Sequence, residues 1–341
     1  MSNTIVDISR KKKPKIPIGY KISMKEWLEM SQAEVIDRFS SLPRAIVGGS
    51  DDTAFAYLPG TRDDRVLLVA HSDTVWGPDA GRINISYSDG VYFSGDTPTR
   101  SFLEKAGRVF LNKYGIGIGA DDRAGCAALW ELKDLGHSLL ITSGEEMGCA
   151  GSNALMKDRI MSHEIDHHNF VVQLDRQGDD DLVFYDVATK EFKAYCVANT
   201  GYSPSWGTFT DICELCETIC GVNISTGYYN EHSSDEYLVE KEWENTVRTV
   251  KKWLSKKDLP YFELSVVDDD LDDDEYDIYD DSQLFDWPPY NSSNSDNDKQ
   301  IIDSSMSDDD ILECPHCDYV MTSFELEQNG YVCLACSHFL R

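Results

Sequence analysis

Three features of the 341-residue chain predict an α/β fold, a mostly parallel mixed sheet sandwiched by helices. Short apolar runs recur without polar alternation, which is how strands buried on both faces read. Helical patterns separate those runs, as the crossovers of parallel strands demand. Carboxylates and histidines gather directly after the runs, where an open α/β sheet assembles its ligand site.

In chain order, residues 25–40 read as a helix with Trp27, Leu28, Val35, Ile36 and Phe39 as its apolar stripe. The run RVLLVA at 65–70 is a buried strand. Acidic residues open a helix over 122–135, and Gly136 stops it. Residues 139–142 and 170–174 are further buried strands, with a strand at 182–186 beside them. His163, His167 and His168 lie in a polar stretch and are expected in a solvated loop. A helix is expected over 211–220, ending at Gly221, with Cys213, Cys216 and Cys220 on one face. Those three read as buried thiols and not as ligands. The last helix, 236–256, places Leu238, Trp243, Val247, Val250 and Leu254 in its apolar set. Cys126, Cys149 and Cys196 carry no pattern.

Four segments are expected: a basic tail over 1–17, a globular domain over 18–260, an acidic linker over 261–310 and a Cys-paired module over 311–341. The hydrophobic fraction of 41% supports a real core in the bulk of the chain. The linker lacks the apolar content to pack. It also holds much of the net charge of −30, which would repel phosphates, so nucleic acid is not an expected partner. No stretch has the apolar length to cross a bilayer, and no apolar segment follows the basic start. A cytoplasmic protein is expected, and its ten cysteines do not read as a disulfide framework.

Five clusters can converge beyond the strand ends. His71 and Asp73 lie in AHSDTV, Asp121 and Asp122 in GIGADDRAG, Glu145 and Glu146 in SGEEMG, Asp175 in VVQLDRQG and His232 in GYYNEHSSDEYL. Two histidines with carboxylates suit Zn²⁺, and less well Mn²⁺ or Co²⁺. Two divalent ions held close together need an anionic bridge. The attacking water needs a carboxylate that binds no metal. The neighbours Glu145 and Glu146 can divide those jobs. Asp122 reads as a helix N-terminal charge.

The set H-x-D, G-A-D-D-x-x-G, G-E-E, a late Asp and a later His resembles the di-zinc exopeptidase superfamily over about residues 66–238. That superfamily includes bacterial leucyl aminopeptidases, peptidase T and carboxypeptidase G. The resemblance implies a zinc-peptidase, phosphorylase/hydrolase-like fold. It implies His71 and Asp175 as ligands of one ion, Glu146 and His232 as ligands of the other, and Asp121 as the bridge. Asp73 would orient His71, and Glu145 would be the general base of amide hydrolysis. Asp175 and His232 lie only 57 positions apart, too few for an inserted lid domain of about 100 residues. The chain therefore resembles the lidless aminopeptidases, and an oxyanion-assisting lid histidine should be absent. Tyr228, Tyr229 or Asn230 could take its place.

Cys314, Cys317, Cys333 and Cys336 form C-x2-C-x15-C-x2-C, the spacing of a closed four-cysteine zinc site resembling a zinc ribbon. About 30 residues bury too little to fold alone, so the ion would supply the folding energy. Its charge and acidic tether point to protein docking or a structural role. The expected substrates are short peptides, cleaved by an aminopeptidase or dipeptidase. The alternatives are an N-acyl amino acid deacylase and an inactive metal-binding scaffold, against which the presence of Glu145 argues.

Overall fold

The structure is a computed structural model and describes residues 21–77, 84–95 and 116–264, with the backbone of 311–313 and 320–322. The chain divides into two units, Met1–Val267 and Asp268–Arg341.

The first unit is built on an eight-stranded sheet. Its strands are β1 (Ile46–Gly48), β2 (Phe55–Leu58), β3 (Leu67–His71), β6 (Ser138–Thr142), β7 (Val171–Arg176), β8 (Asp181–Val183), β9 (Ser203–Ser205) and β10 (Gly221–Ser225). They run in the order β1-β2-β6-β3-β7-β10-β8-β9. The four central strands β6, β3, β7 and β10 are mutually parallel, and antiparallel strands β2 and β8 flank them. A smaller antiparallel sheet holds β4 (Ile85–Ser88), β5 (Val91–Ser94), β11 (Tyr228–Tyr229) and β12 (Tyr237–Val239).

Side chains alternate across each central strand, and both faces are apolar. Leu68, Ala70, Leu139, Ile141, Val172 and Leu174 enter one core. Leu67, Val69, Leu140 and Val171 enter the other. This is the pattern of a parallel sheet covered on both sides. The helices are α1 (Met24–Leu28), α2 (Gln32–Ser40), α3 (Ala120–Leu132), α4 (Ala150–Met156), α5 (Arg159–Ile165), α6 (Lys190–Thr200), α7 (Asp211–Leu215) and α8 (Glu240–Leu254). The cores show the layers: Leu129, Phe192, Val250 and Trp253 from α3, α6 and α8 on one face, Leu155, Met161 and Ile212 from α4, α5 and α7 on the other. The α/β sandwich read from the sequence is therefore present.

Three elements differ from the sequence reading. The first helix is broken at Ser31, whose hydroxyl accepts Glu34 N while its own N–H donates to Glu34 Oε2. That capping box starts a new helix in the middle of the predicted one. The helix expected over 211–220 stops at Leu215, because Cys216 leaves helical backbone space (φ −98°, ψ 78°) and Cys220 N donates to Phe262 O. Cys213, Cys216 and Cys220 therefore do not share a helix face, although Cys216 and Cys220 are buried as expected. The final helix begins at Glu240, since Tyr237–Val239 pairs with β5 as β12.

In the second unit, β13 (Ile311–Glu313) pairs antiparallel with β14 (Val320–Thr322). Cys314, Cys317, Cys333 and Cys336, with most of the expected linker, lie outside the described residues.

Candidate active site

All seven sequence-predicted residues of the main site are described, and their side chains meet beyond the carboxyl ends of β3, β6 and β7. His71 is the last residue of β3 and is fully buried. Its Nε2 lies 3.0 Å from Asp121 Oδ1, 3.4 Å from Asp175 Oδ1 and 3.9 Å from Glu145 Oε2. His232 Nε2 lies 3.1 Å from the other oxygen of Asp121, Oδ2, and 3.0 Å from Glu146 Oε2. Asp121 thus has one oxygen toward each histidine. One triad is His71, Asp121 and Asp175; the other is His232, Asp121 and Glu146.

These side chains fit divalent ions. Ligand atoms about 2.0–2.1 Å from a tetrahedral Zn²⁺ sit roughly 3.3 Å from one another, close to the spacings found here. Glu146 Oε1 and His71 Nδ1 are buried without a hydrogen-bond partner. A single proton on His71 Nε2 cannot serve two carboxylates equally, whereas a cation between them can. Burial opposes an imidazolium at His71, yet the Asp175, Asp121 and Asp73 carboxylates outweigh it and raise its pKa well above the ordinary value. The same contest at His232, won by Asp121 and Glu146, pushes its pKa up to about 11. Both surroundings thus favour positive charge among these carboxylates.

Glu145 belongs to neither triad. Burial, opposed by His71 and reinforced by Asp175, Asp211 and Glu146, holds its pKa well above the ordinary carboxylate range. Burial and the neighbouring carboxylates thus favour its protonated form. The thiol of Cys149 faces its Oε1 at 4.0 Å.

The backbone at four of the five candidate ligands, all but His232, is held by a side chain from elsewhere. Asp73 stands 3.4 Å from His71 Nδ1, without hydrogen-bond geometry. Its Oδ1 accepts Glu145 N at 3.2 Å and its Oδ2 accepts Glu146 N at 3.1 Å. Asp122 is more than a helix-end charge: it is fully buried, and it accepts His71 N at 3.1 Å and Gly125 N at 2.8 Å. With both oxygens so engaged, Asp122 makes a poorer ligand than Asp121, despite lying close to His71 and Asp175. Asn223 accepts Asp175 N and donates to Asp175 O. Gln173 and Thr210 donate to Asp175 Oδ2 and Tyr228 to Oδ1, which fixes that carboxylate. Glu236, in the hairpin loop between β11 and β12, accepts Gly119 N and Asp121 N.

Gly125 in G-A-D-D-x-x-G has a steric reason. A Cβ there would lie 2.0 Å from Leu174 O and 2.4 Å from Asp122 Oδ1, so only glycine lets α3 approach β7 this closely. Arg123, also buried, donates to Met30 O and Ser72 O and places a fixed positive charge behind the carboxylates.

Of the three residues considered for oxyanion assistance, two point elsewhere. Tyr229 OH donates to Glu242 and Asn230 Nδ2 to Asp235 O, while Tyr228 is at the site through Asp175. The expected solvated histidine loop is also corrected. His163, in α5, and His167 are exposed with their rings tilted 40° at 4.2 Å, but His168 is fully buried. The sequence reading missed Glu236, Gln173, Thr210, Asn223 and Arg123.

The fold is the mixed α/β arrangement that the sequence resemblance implied, and the candidate ligands follow one another along it in the order read from the sequence. More narrowly, residues 54–191 match the model of peptidase family M28. That match supports a metal-dependent peptidase. No curated protein matches the chain. Among solved structures, it is similar to the aminopeptidase PepT of Bacillus cereus at 17% identity, over 68% of this chain and 96% of that one, with a TM-score of 0.48. It is also similar to a tripeptidase of Staphylococcus aureus (14% identity, 68% and 96% covered, TM-score 0.49). A third likeness is to a TET aminopeptidase from a marine sediment archaeon (16% identity, 69% and 96% covered, TM-score 0.42).

Proposed function

We propose that the chain is an aminopeptidase or dipeptidase of short peptides that works with two divalent ions, Zn²⁺ first among them. The observation that carries this reading is the division of Asp121 between two histidines, one per carboxylate oxygen. His71 and Asp175 would hold one ion, Glu146 and His232 the other, and Asp121 both. When bound, the ions supply Lewis acidity and lower the pKa of the attacking water. Glu145 takes the proton from that water and returns it to the leaving amine. Asp73 keeps Glu145 and Glu146 in register by holding their consecutive N–H groups.

Cys314, Cys317, Cys333 and Cys336, by their spacing, would hold a third, structural Zn²⁺. The two reactions open to such a site separate on a substrate panel. Aminoacyl amides and dipeptides should turn over with added Zn²⁺, Mn²⁺ or Co²⁺, while N-acylated amino acids should not. Preference for the N-acylated set would make the chain a deacylase. Inertness toward both, with metal bound, would leave only a scaffold.

A further inference from the structure

Three of the clamps described above pass from one ligand-bearing loop to another. Asp73, beyond β3, holds the loop of Glu146. Asp122, next to Asp121, holds the backbone of His71. Glu236, four residues after His232, holds the loop of Asp121. The last has the most to control, because Asp121 is the residue that both triads share. Glu236 is 1% exposed, and its two oxygens bracket that loop: Oε2 accepts Gly119 N at 2.7 Å and Oε1 accepts Asp121 N at 2.9 Å. The surroundings admit no slack. A Cβ on Gly117 would lie 2.5 Å from Glu236 Oε2 and 2.6 Å from Ser233 O.

We propose that Glu236 is a positioning residue that sets the Asp121 carboxylate between the two ion positions, and so couples the His232 loop to both ions. Both Glu236 oxygens are taken by backbone N–H groups, and it would act through those two bonds. The inference rests on Asp121 being the shared ligand. Its signature follows from that sharing. Loss of a ligand to one ion should weaken that ion, whereas loss of the Glu236 clamp should weaken both. Glu236→Gln keeps the shape but turns one acceptor into an NH2 facing an N–H, so one of the two bonds is lost.

The test is a titration of metal-stripped full-length protein with Zn²⁺ by calorimetry and with Co²⁺ by visible absorption, for the wild type, Glu236→Gln and Glu236→Asp. The wild type should take two ions in the main site. Glu236→Gln should lose roughly 10–100-fold in affinity for both, the range for removing a group that orients a ligand. Its Co²⁺ spectrum should change, and its metal-free melting temperature should stay near that of the wild type. Glu236→Asp, charged but shorter, should fall between. If Glu236→Gln binds both ions as the wild type does, or merely melts earlier with unchanged affinities, the inference is wrong. A wild type that takes no ion in the main site sinks the proposed function together with it. Hydrogen exchange on the metal-free wild type needs no variant: the Gly119 and Asp121 amides should be protected. Exchange there at the rate of a free loop would overturn the clamp.

Discussion

The two ends of the central sheet treat histidine in opposite ways. At the carboxyl end, His71 Nε2 faces three carboxylates while Nδ1 has no hydrogen bond. At the amino end, every ring nitrogen of two buried histidines has one partner. His137 Nδ1 accepts Val66 N and its Nε2 donates to Leu254 O. His168 Nδ1 donates to Ile165 O, so its Nε2 accepts the Ser138 hydroxyl proton at 2.7 Å. Ser138 in turn accepts Gly60 N. Burial therefore keeps the amino-end rings neutral and lowers the His168 pKa to about 4, while carboxylates raise both carboxyl-end rings. The difference teaches where function sits. One end is closed by its own hydrogen bonds, and the other gathers carboxylates around two histidine rings, where a cation would balance the charge.

The largest effect should come from the residue that the open end leaves outside both triads. Glu145→Gln should lower kcat by about 10²–10⁴ while metal content stays near normal. Glu146→Gln, one position on, should lose or loosen one ion and recover partly when metal is added. Elemental analysis beside steady-state kinetics separates the two. A Glu145→Gln protein that metal rescues would mean the roles are exchanged.

The closed end should show itself as acid sensitivity. The folded His168 pKa of about 4 lies below the unfolded value of 6.5, so the unfolded chain binds the extra proton first. Stability is complete above about pH 6.5 and is lost as pH falls toward 4, by roughly 3 kcal/mol in all. Urea unfolding of the metal-free protein at several pH values measures this slope. In His168→Gln the slope should flatten. An unchanged slope would mean that other groups govern acid unfolding.

The smallest effect returns to the open end. Tyr228→Phe removes one hydrogen bond to Asp175, worth about 0.5–1.5 kcal/mol. The ion held by His71 and Asp175 should bind up to about tenfold more weakly, with the other ion unaffected. Equal weakening of both ions would show that the two triads are less separable than their geometry implies.

The legible and illegible parts of this site divide along the same physical line. The candidate ligands could be read because each follows an apolar run or a glycine-rich turn, so the chain itself announces where it ends up. The clamps could not. Asp73 and Glu146, or Asn223 and Asp175, meet only after distant strands become neighbours, and no local spacing records it. Glu236 offered one faint signal, an acid four residues past His232, which the expected helix over 236–256 absorbed. The broken helix at Ser31 was readable in principle, since Ser31 and Glu34 stand in capping-box spacing. The early end of the helix at Leu215 was not, because the backbone beyond it is claimed by Phe262, in another part of the chain. His168 went astray for the same reason: its neighbours in sequence are polar, while its partner Ser138 is 30 residues away.

The side chain of Asn223 has one more consequence. The pairing of β7 with β10 slips between Asn223 and Ser225, beside Asp175, and there the amide of Asn223 stands in for the missing peptide group by accepting Asp175 N and donating to Asp175 O. The row that would fray first at a strand's end is stitched shut. Asp175 is thus as firmly seated as the interior of the sheet. As a ligand in the proposed site, Asp175 would be aimed before an ion or a peptide arrives, so no binding energy would be spent on aiming it.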